Sequence, residues 1–489
     1  MSTATVSSLL NRSLILAFGR ASNYAILLIS PIILTRVLPV ELFGQYREFI
    51  LYGVLLTELL RFAIGQSLTY LIPRDPGNER VFVSQSVVFT LAVYFVGVGL
   101  IIVASGVSAM VEYPYMAELL VYVFFLLNLD FVIHYWLAKG QSFHVFVYGC
   151  VRLVVRVGSV VVVAVWVADL QAIVWTLIFV EAARFTAVLV YLSKNRLLTL
   201  AVSRRTMAEQ LRFFVPLGFS NGADALNKYV GQLFVSLALG PSVLALYVIG
   251  TYTAPLLNLC RSSVGDAVFP RMSEKGVNGS GETLRLWQRT TIVYTFLLAP
   301  LIVFIVASAE SIVVVLFSDS YRAAAPVLQV FSLAMLKDCV DFGLPLRALG
   351  RTRTILASRC ISLAINIGLM MVFVHYWGLL GPAIALLVTQ FLIELYLGWR
   401  LVDVAGVAFA RLCPWGEIGR IVAMAMMSGV VFAGAALTEW PRTVELAVFG
   451  MMFGLVYAAS VRAMGITEID RLTGRVVGTL RHRLVRRHA

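Results

Sequence analysis

The residues of this chain whose type and placement could do chemistry are arginines set inside apolar stretches. Arg20, Arg152, Arg156 and Arg261 each lie in a run long enough to cross a bilayer, with no acidic residue within one helical turn. A lone charge at the centre of a bilayer costs about 2.5–3.5 kcal/mol on insertion scales, so each of them needs a reason to be there. Guanidinium groups stay charged and donate hydrogen bonds in a planar fork that matches phosphate oxygens. Arg152 and Arg156 are four residues apart and share a helix face, so they repel unless an anion or a distant carboxylate lies between them. Arg261 lies about eight residues from the cytoplasmic end of its span, about 12 Å deep at a rise of ~1.5 Å per residue. These positions point to binding of a phosphate-type anion at membrane depth, with Arg20, Arg156 and Arg261 as first candidates and Arg61 and Arg152 as second. For any one of them the alternative is a structural ion pair with a distant acid, and Glu48, Asp266, Asp338 and Glu394 are available.

Other intramembrane charges come with an opposite or titratable neighbour three or four residues away: Glu58 with Arg61, Asp130 with His134, Glu181 with Arg184, Asp224 with Lys228, and Lys337 with Asp341. They read either as mutual neutralisation in a packed bundle or as carboxylates that take up a proton or Na⁺. Asp224 and Glu394 are the candidates for such ion coupling. The five cysteines and five histidines are scattered, without CxxC, HExxH or another metal-ligand spacing, so neither a metal site nor a cofactor other than H⁺ or Na⁺ is expected. Pro31, Pro255, Pro300 and Pro345 fall within spans and are expected to kink them.

The elements that must hold these residues follow from composition. Of 489 residues, 60% are hydrophobic and 13% charged, against about 45–50% and about 25% in soluble domains. The chain is therefore an all-α polytopic membrane protein. No polar stretch is long enough for a soluble catalytic domain, so no catalytic residues and no enzyme activity are expected, and the start lacks a signal-peptide pattern. Hydropathy places about fourteen spans near 10–35, 45–72, 82–107, 115–138, 143–167, 169–192, 212–239, 243–269, 288–309, 324–347, 353–375, 378–400, 417–437 and 443–463.

The net charge of +13 would suit a nucleic acid, but the basic residues concentrate in alternate loops and in the tail. With the start of the chain cytoplasmic, the even loops carry most of them, whereas the odd loops hold few, Arg36 with Arg47 in the first. This is the positive-inside pattern. It implies cytoplasmic termini, an even number of helices and no nucleic-acid partner. The longest cytoplasmic linker, near 193–211, divides the first twelve spans, giving a six-helix lobe at 1–200 and a second at 201–404. Residues 405–489 add two helices and a basic tail. In that tail Leu472, Val476, Leu480 and Leu484 lie along one helical face, as expected of an interfacial helix on anionic lipid.

Several segments resemble a family. The stretch from Leu34 to Tyr46, with Thr35-Arg36, Leu38-Pro39, Phe43-Gly44 and Tyr46, is similar to the first loop of bacterial polysaccharide flippases of the Wzx type. These belong to the multidrug/oligosaccharidyl-lipid/polysaccharide exporter (MOP) superfamily. Leu211 to Asn221, around Pro216, resembles the family's start of span seven, and Leu239-Gly240-Pro241 with Tyr247 its following loop. Phe317 to Leu328 and Ala348-Leu349-Gly350-Arg351 resemble its loop after span nine and its end of span ten. Where the family pattern often carries an Asp-Arg pair in span seven, this chain has Gly231-Gln232, so coupling through that pair is not implied.

The resemblance implies two six-helix lobes of the MATE-like type around a central cavity. It also implies a flippase for an undecaprenyl-pyrophosphate-linked oligosaccharide in the bacterial inner membrane, serving O-antigen, exopolysaccharide or capsule biosynthesis. Membrane lipids, a polymerase and other assembly proteins are the expected partners. An ion-coupled drug or metabolite exporter of the same superfamily is the alternative, and a lipid II flippase is a relative with the same physics. Unpaired arginines argue against cationic cargo.

Overall fold

The computed structural model describes residues 29–107, 113–199, 202–276, 280–437 and 440–464, and these form helices and short connections. Arg20, the Asp266 side chain and the tail from Ile466 lie outside the described residues. The chain divides into two compact units, Met1–Ala245 and Leu246–Ala489.

In the first unit, helices α1 (Val40–Leu60) and α2 (Ile64–Leu71) together occupy span two. Helix α3 (Glu79–Val107) follows, and α4 (Met116–Leu127) and α5 (Val132–Ala138) share span four. Helices α6 (Ser142–Trp166), α7 (Leu170–Lys194) and α8 (Arg204–Leu239) complete the unit, and α9 (Pro241–Gly250) begins in it. The sequence-based lobes divide at 200/201, whereas the units divide at 245/246, because α8 packs on α1, α2 and α3.

Two spans of the first unit are broken without proline or glycine. Phe62 and Ala63 have φ of 48° and 59° between α1 and α2, and Leu129 has φ of 62° between α4 and α5. Left-handed backbone at such residues costs about 1–3 kcal/mol each and must be held by its surroundings. Here α2 packs against α5, with Gly65 directly under the His134 ring. Around them lies a buried core of Ile64, Leu68, Phe82, Val132, Trp136, Leu192 and Phe214. Helices α1 and α8 run side by side in opposite directions, touching at glycines near both ends. Gly44 abuts the Pro241 carbonyl, and a Cβ on Gly218 would lie 2.7 Å from the Cα of Phe62.

The second unit contains α10 (Ala254–Gly276), α11 (Ser280–Ala307), α12 (Ala309–Leu316), α13 (Ala325–Ala334) and α14 (Gly343–Ala348). They are followed by α15 (Thr352–Trp377), α16 (Gly381–Ala405), α17 (Phe409–Leu412), α18 (Trp415–Gly429) and α19 (Arg442–Met464). Span ten is broken here: α13 passes into a 3₁₀ turn at Met335–Val340 before α14. The two additional helices pack on α11, where Ile421, Met424 and Val461 bury Ile292.

Ten helical stretches among the described residues are long and apolar enough to cross a membrane. One of them, Thr352–Ala405, holds both α15 and α16, which turn at Gly378 and pack on each other. Helices α1 and α8, expected within spans two and seven, fall outside the ten. Arg47, Glu48 and Glu58 on the first and Arg212, Asp224 and Lys228 on the second make them too polar to face lipid throughout. Of the prolines expected to kink spans, Pro300 lies inside α11, Pro255 only opens α10, and Pro345 sits in the short α14. Pro216 and Pro270 are interior to α8 and α10.

Candidate functional site

The breaks in the first unit are where its charges gather. Asp130, on the turn between α4 and α5, receives Arg152 at 2.7 Å, Arg61 at 3.1 Å and Arg184 at 3.9 Å. Glu181 on α7 is fully buried and receives Arg184 at 2.7 Å, Arg152 at 3.2 Å and Arg156 at 3.7 Å. Arg61, at the end of α1, also reaches Glu58 at 3.5 Å. Arg184 donates to the carbonyls of Phe125 and Asn128, which the break before α5 deprives of helical partners. Inside a membrane such carbonyls must find a donor from the protein. Four arginines therefore share three carboxylates, leaving one positive charge in excess.

That excess lies toward α1. Arg156 donates to the Tyr122 hydroxyl at 2.6 Å and lines a cavity of about 270 Å³ with Arg47, Tyr229 and Gln232. Arg47 has no acid within 4 Å among the described residues, and its Nε has no hydrogen-bond partner. Among the described residues the cavity wall carries two guanidinium groups and no carboxylate. Glu48, next to Arg47 in the chain, is engaged elsewhere, accepting from Tyr52 at 3.2 Å and from the Ser236 hydroxyl. Two further cavities of the same unit, about 340 and 110 Å³, share Glu58, Gln66 and Asn221. Asp224 and Lys228 line the larger of them, together with Tyr229, which also lines the arginine cavity.

In the second unit Arg261 on α10 pairs with Asp338 at 3.6 Å and Asp341 at 3.2 Å. Lys337 reaches Asp338 at 3.3 Å, and Arg347 reaches Asp341 at 3.2 Å. Trp287 Nε1 donates to the Asp341 carbonyl at 2.9 Å, and Glu394 on α16 accepts the Phe342 N–H at 3.2 Å. The cluster sits on the break in span ten, as the first unit's cluster sits on its own breaks.

Of the sequence candidates, Arg61, Arg152 and Arg156 come together in the first unit, and Arg261 lies in the second among carboxylates. The expected Glu58–Arg61 and Glu181–Arg184 pairs are present. Two expected pairs are not. Asp130 is taken by guanidinium groups while His134 Nδ1 lies 3.3 Å from the Thr69 hydroxyl, and Lys337 turns to Asp338 because the chain leaves the α-helix there. Sequence reasoning placed Arg47 in a loop. It is within α1, three turns from the helix end that Glu58 occupies on the same face, and that i, i+4, i+7, i+11 spacing from Arg47 through Leu51 and Val54 to Glu58 was the available signal.

Residues 33–326 match the polysaccharide biosynthesis protein family over more than half of the chain. The chain belongs to that family. No curated protein is matched by sequence. Among solved structures, this member of the polysaccharide biosynthesis family is similar to the lipid II flippase MurJ in an inward closed conformation. The TM-score is 0.66 at 13% identity, covering 93% of this chain and 99% of the other. An inward-facing multidrug resistance MATE family transporter of the MOP superfamily gives 0.53 at 15% identity, covering 79% and 96%. A eukaryotic MATE transporter, AtDTX14, gives 0.52 at 13%, covering 85% and 99%. The polysaccharide biosynthesis family member thus has the MurJ/MATE-like fold and is a multi-pass membrane protein.

Proposed function

We propose that this protein is a flippase that carries a polyprenyl-pyrophosphate-linked oligosaccharide from the cytoplasmic to the outer leaflet of the bacterial inner membrane by alternating access, for surface polysaccharide biosynthesis. The observation that carries the reading is the cavity walled by Arg47 and Arg156 with no acid among its described lining residues. A guanidinium pair of which Arg47 meets no described acid and Arg156 shares Glu181 with two other arginines is costly at membrane depth when empty and strongly favourable when a phosphate-type anion fills it. Membership in a polysaccharide biosynthesis family supplies the cargo class. In this reading Arg47 and Arg156 hold the pyrophosphate, and Arg61 and Arg152, already paired with carboxylates, raise the local positive potential. Arg20 and Arg261 are assigned the same cargo during other stages of the cycle. Both termini lie in the cytoplasm, and a polymerase receives the product outside.

An inside-negative potential drives each negative charge of the head group outward by about 2.3 kcal/mol per 100 mV. Cargo whose charge is cancelled by arginines crosses neutral, and the empty cationic carrier is drawn back by the same field. Asp224 and Glu394 are proposed as the sites of H⁺ or Na⁺ exchange where an ion gradient contributes.

Flipping in proteoliposomes tests the reading, with a lipid-linked oligosaccharide labelled on its sugar and read by its exposure on the far side. Wild-type protein moves the label, and Arg47→Ala and Arg156→Ala stall. Transfer of small cations with none of the lipid-linked sugar sinks the flippase reading in favour of an exporter.

A further inference from the structure

The cavities of the first unit form a series whose polar lining changes in kind along α8. At one end stand Arg47 and Arg156; at the other stand Glu58, Asp224 and Lys228, charges of both signs. Between and around them four neutral side chains line the cavities: Gln232 and Tyr229 beside the arginines, and Asn221 and Gln66 at the far end. None of these four makes a side-chain hydrogen bond to another described residue. Several other amides of the unit donate to protein groups. Gln85 donates to the Ser203 carbonyl at 2.8 Å, Gln210 to Ser67 and Ser86 at 3.0 Å, and Asn128 to the Phe124 carbonyl at 2.9 Å. Asn195 donates to the Tyr191 carbonyl at 2.7 Å.

Asn128 and Asn195 satisfy their amide donors on backbone carbonyls one turn away on their own segments. An amide left open toward a cavity offers two donors on nitrogen and an acceptor on oxygen at once. That set matches a pair of neighbouring hydroxyls, each of which both donates and accepts. Asn221, Ala225, Tyr229 and Gln232 recur at helical spacing along one face of α8, so the open groups form a line. From Asn221 to Gln232 is eleven residues, about 16 Å at the helical rise. The line thus exceeds what a pyrophosphate alone would occupy.

We propose that Gln66, Asn221, Tyr229 and Gln232 form a track that recognises the hydroxyl groups of neutral sugar residues in the cargo, with the pyrophosphate held at the Arg47–Arg156 end. The proposal rests on the flippase reading and deepens it. The orientation follows from charge: the Arg47–Arg156 end carries cations without a carboxylate among its described lining residues, whereas at the far end carboxylates offset Lys228 and Arg61, so a phosphate favours the first end.

The test is equilibrium binding to the full-length protein in lipid nanodiscs, using undecaprenyl pyrophosphate bare and carrying a neutral trisaccharide. In the Asn221→Ala/Gln66→Ala double variant the glycosylated lipid is expected to bind about tenfold more weakly, a loss of about two net hydrogen bonds. The bare lipid is expected to bind as it does to wild type, and that result also shows the variant to be folded. Single Asn221→Ser and Gln66→Ser variants make the same comparison should the double variant not fold. Arg47→Ala weakens both lipids alike. Equal weakening of the two lipids by the amide variants, or no weakening of either, overturns the sugar track while leaving the flippase reading intact. Failure of the wild type to bind either lipid overturns the flippase reading, and the track with it.

Discussion

Replacing Glu181 with glutamine removes the carboxylate that three arginines share, at 2.7, 3.2 and 3.7 Å. The side chain is fully buried, and Arg184 is nearly so. After the change the four arginines of the cluster face only Asp130 and the partly exposed Glu58, so the excess rises from one positive charge to two. Breaking a buried pair by removing one partner costs about 3–5 kcal/mol, because the remaining charge stays buried without compensation. At ~2–4 °C per kcal/mol for a domain of this size, Glu181→Gln lowers the unfolding midpoint by about 6–20 °C.

The comparison that makes this number informative is Glu58→Gln. Its pair with Arg61 is longer, 3.5 Å, with both side chains about one-third exposed, and pairs of that kind contribute about 0–1 kcal/mol. Purified protein heated with a thiol-reactive fluorophore reports unfolding as the rise above the labelling of exposed Cys360, since Cys339 and Cys413 are buried in the folded chain and become reactive when it opens. A Glu181→Gln shift no larger than that of Glu58→Gln refutes the argument. It would mean that water or lipid phosphate, not Glu181, compensates these arginines. Arg184→Lys separates charge from geometry: it keeps the charge but cannot serve Glu181 and the carbonyls of Phe125 and Asn128 together, so it too is expected to lower the midpoint.

Two more outcomes follow from packing and from the energetics of transport. Gly218→Ala places a methyl group 2.7 Å from the Cα of Phe62, on backbone that cannot swing aside, and is expected to cost about 1–3 kcal/mol in the same unfolding assay. Gly222→Ala, one turn on, meets only the Leu59 side chain at 3.6 Å and is expected to leave the midpoint unchanged. In proteoliposomes, collapsing an inside-negative potential is expected to slow flipping of the lipid-linked oligosaccharide, and undiminished flipping at zero potential excludes the electrophoretic return of an empty cationic carrier. If Glu394 carries the coupling ion, Glu394→Gln abolishes stimulation by an imposed H⁺ or Na⁺ gradient and leaves the response to potential intact.

Much of this architecture is legible in the residues. Local spacing predicts the Glu58–Arg61 and Glu181–Arg184 pairs because residues three apart on a helix are neighbours wherever the helix goes. Two of the family-like motifs, the stretch ending at Tyr46 and Leu239-Gly240-Pro241, turn out to touch, Gly44 lying against Pro241. The breaks at Phe62-Ala63 and at Leu129 were not legible, since neither carries glycine or proline. They are imposed by the packing of α2 on α5 and by arginines that satisfy the freed carbonyls. Arg47 was misread as a loop residue because one basic side chain near a span end looks the same whether it faces water or an interior cavity.

What the sequence determined by itself is the membrane fold, since an 87% uncharged chain with long apolar runs must satisfy its backbone in helices. It also determined that arginines would be buried, because their positions within those runs leave them nowhere else to be. Only the tertiary structure decided which acid each arginine meets. Arg152 finds Asp130 at a distance of 22 residues along the chain, and Arg261 finds Asp341 at a distance of 80. Such pairings depend on how helices pack rather than on what each helix contains. Electrostatic energy falls with distance in space and takes no account of separation along the chain, so Arg47, which faces a cavity and meets no acid among the described residues, could be recognised only once its neighbours were in place.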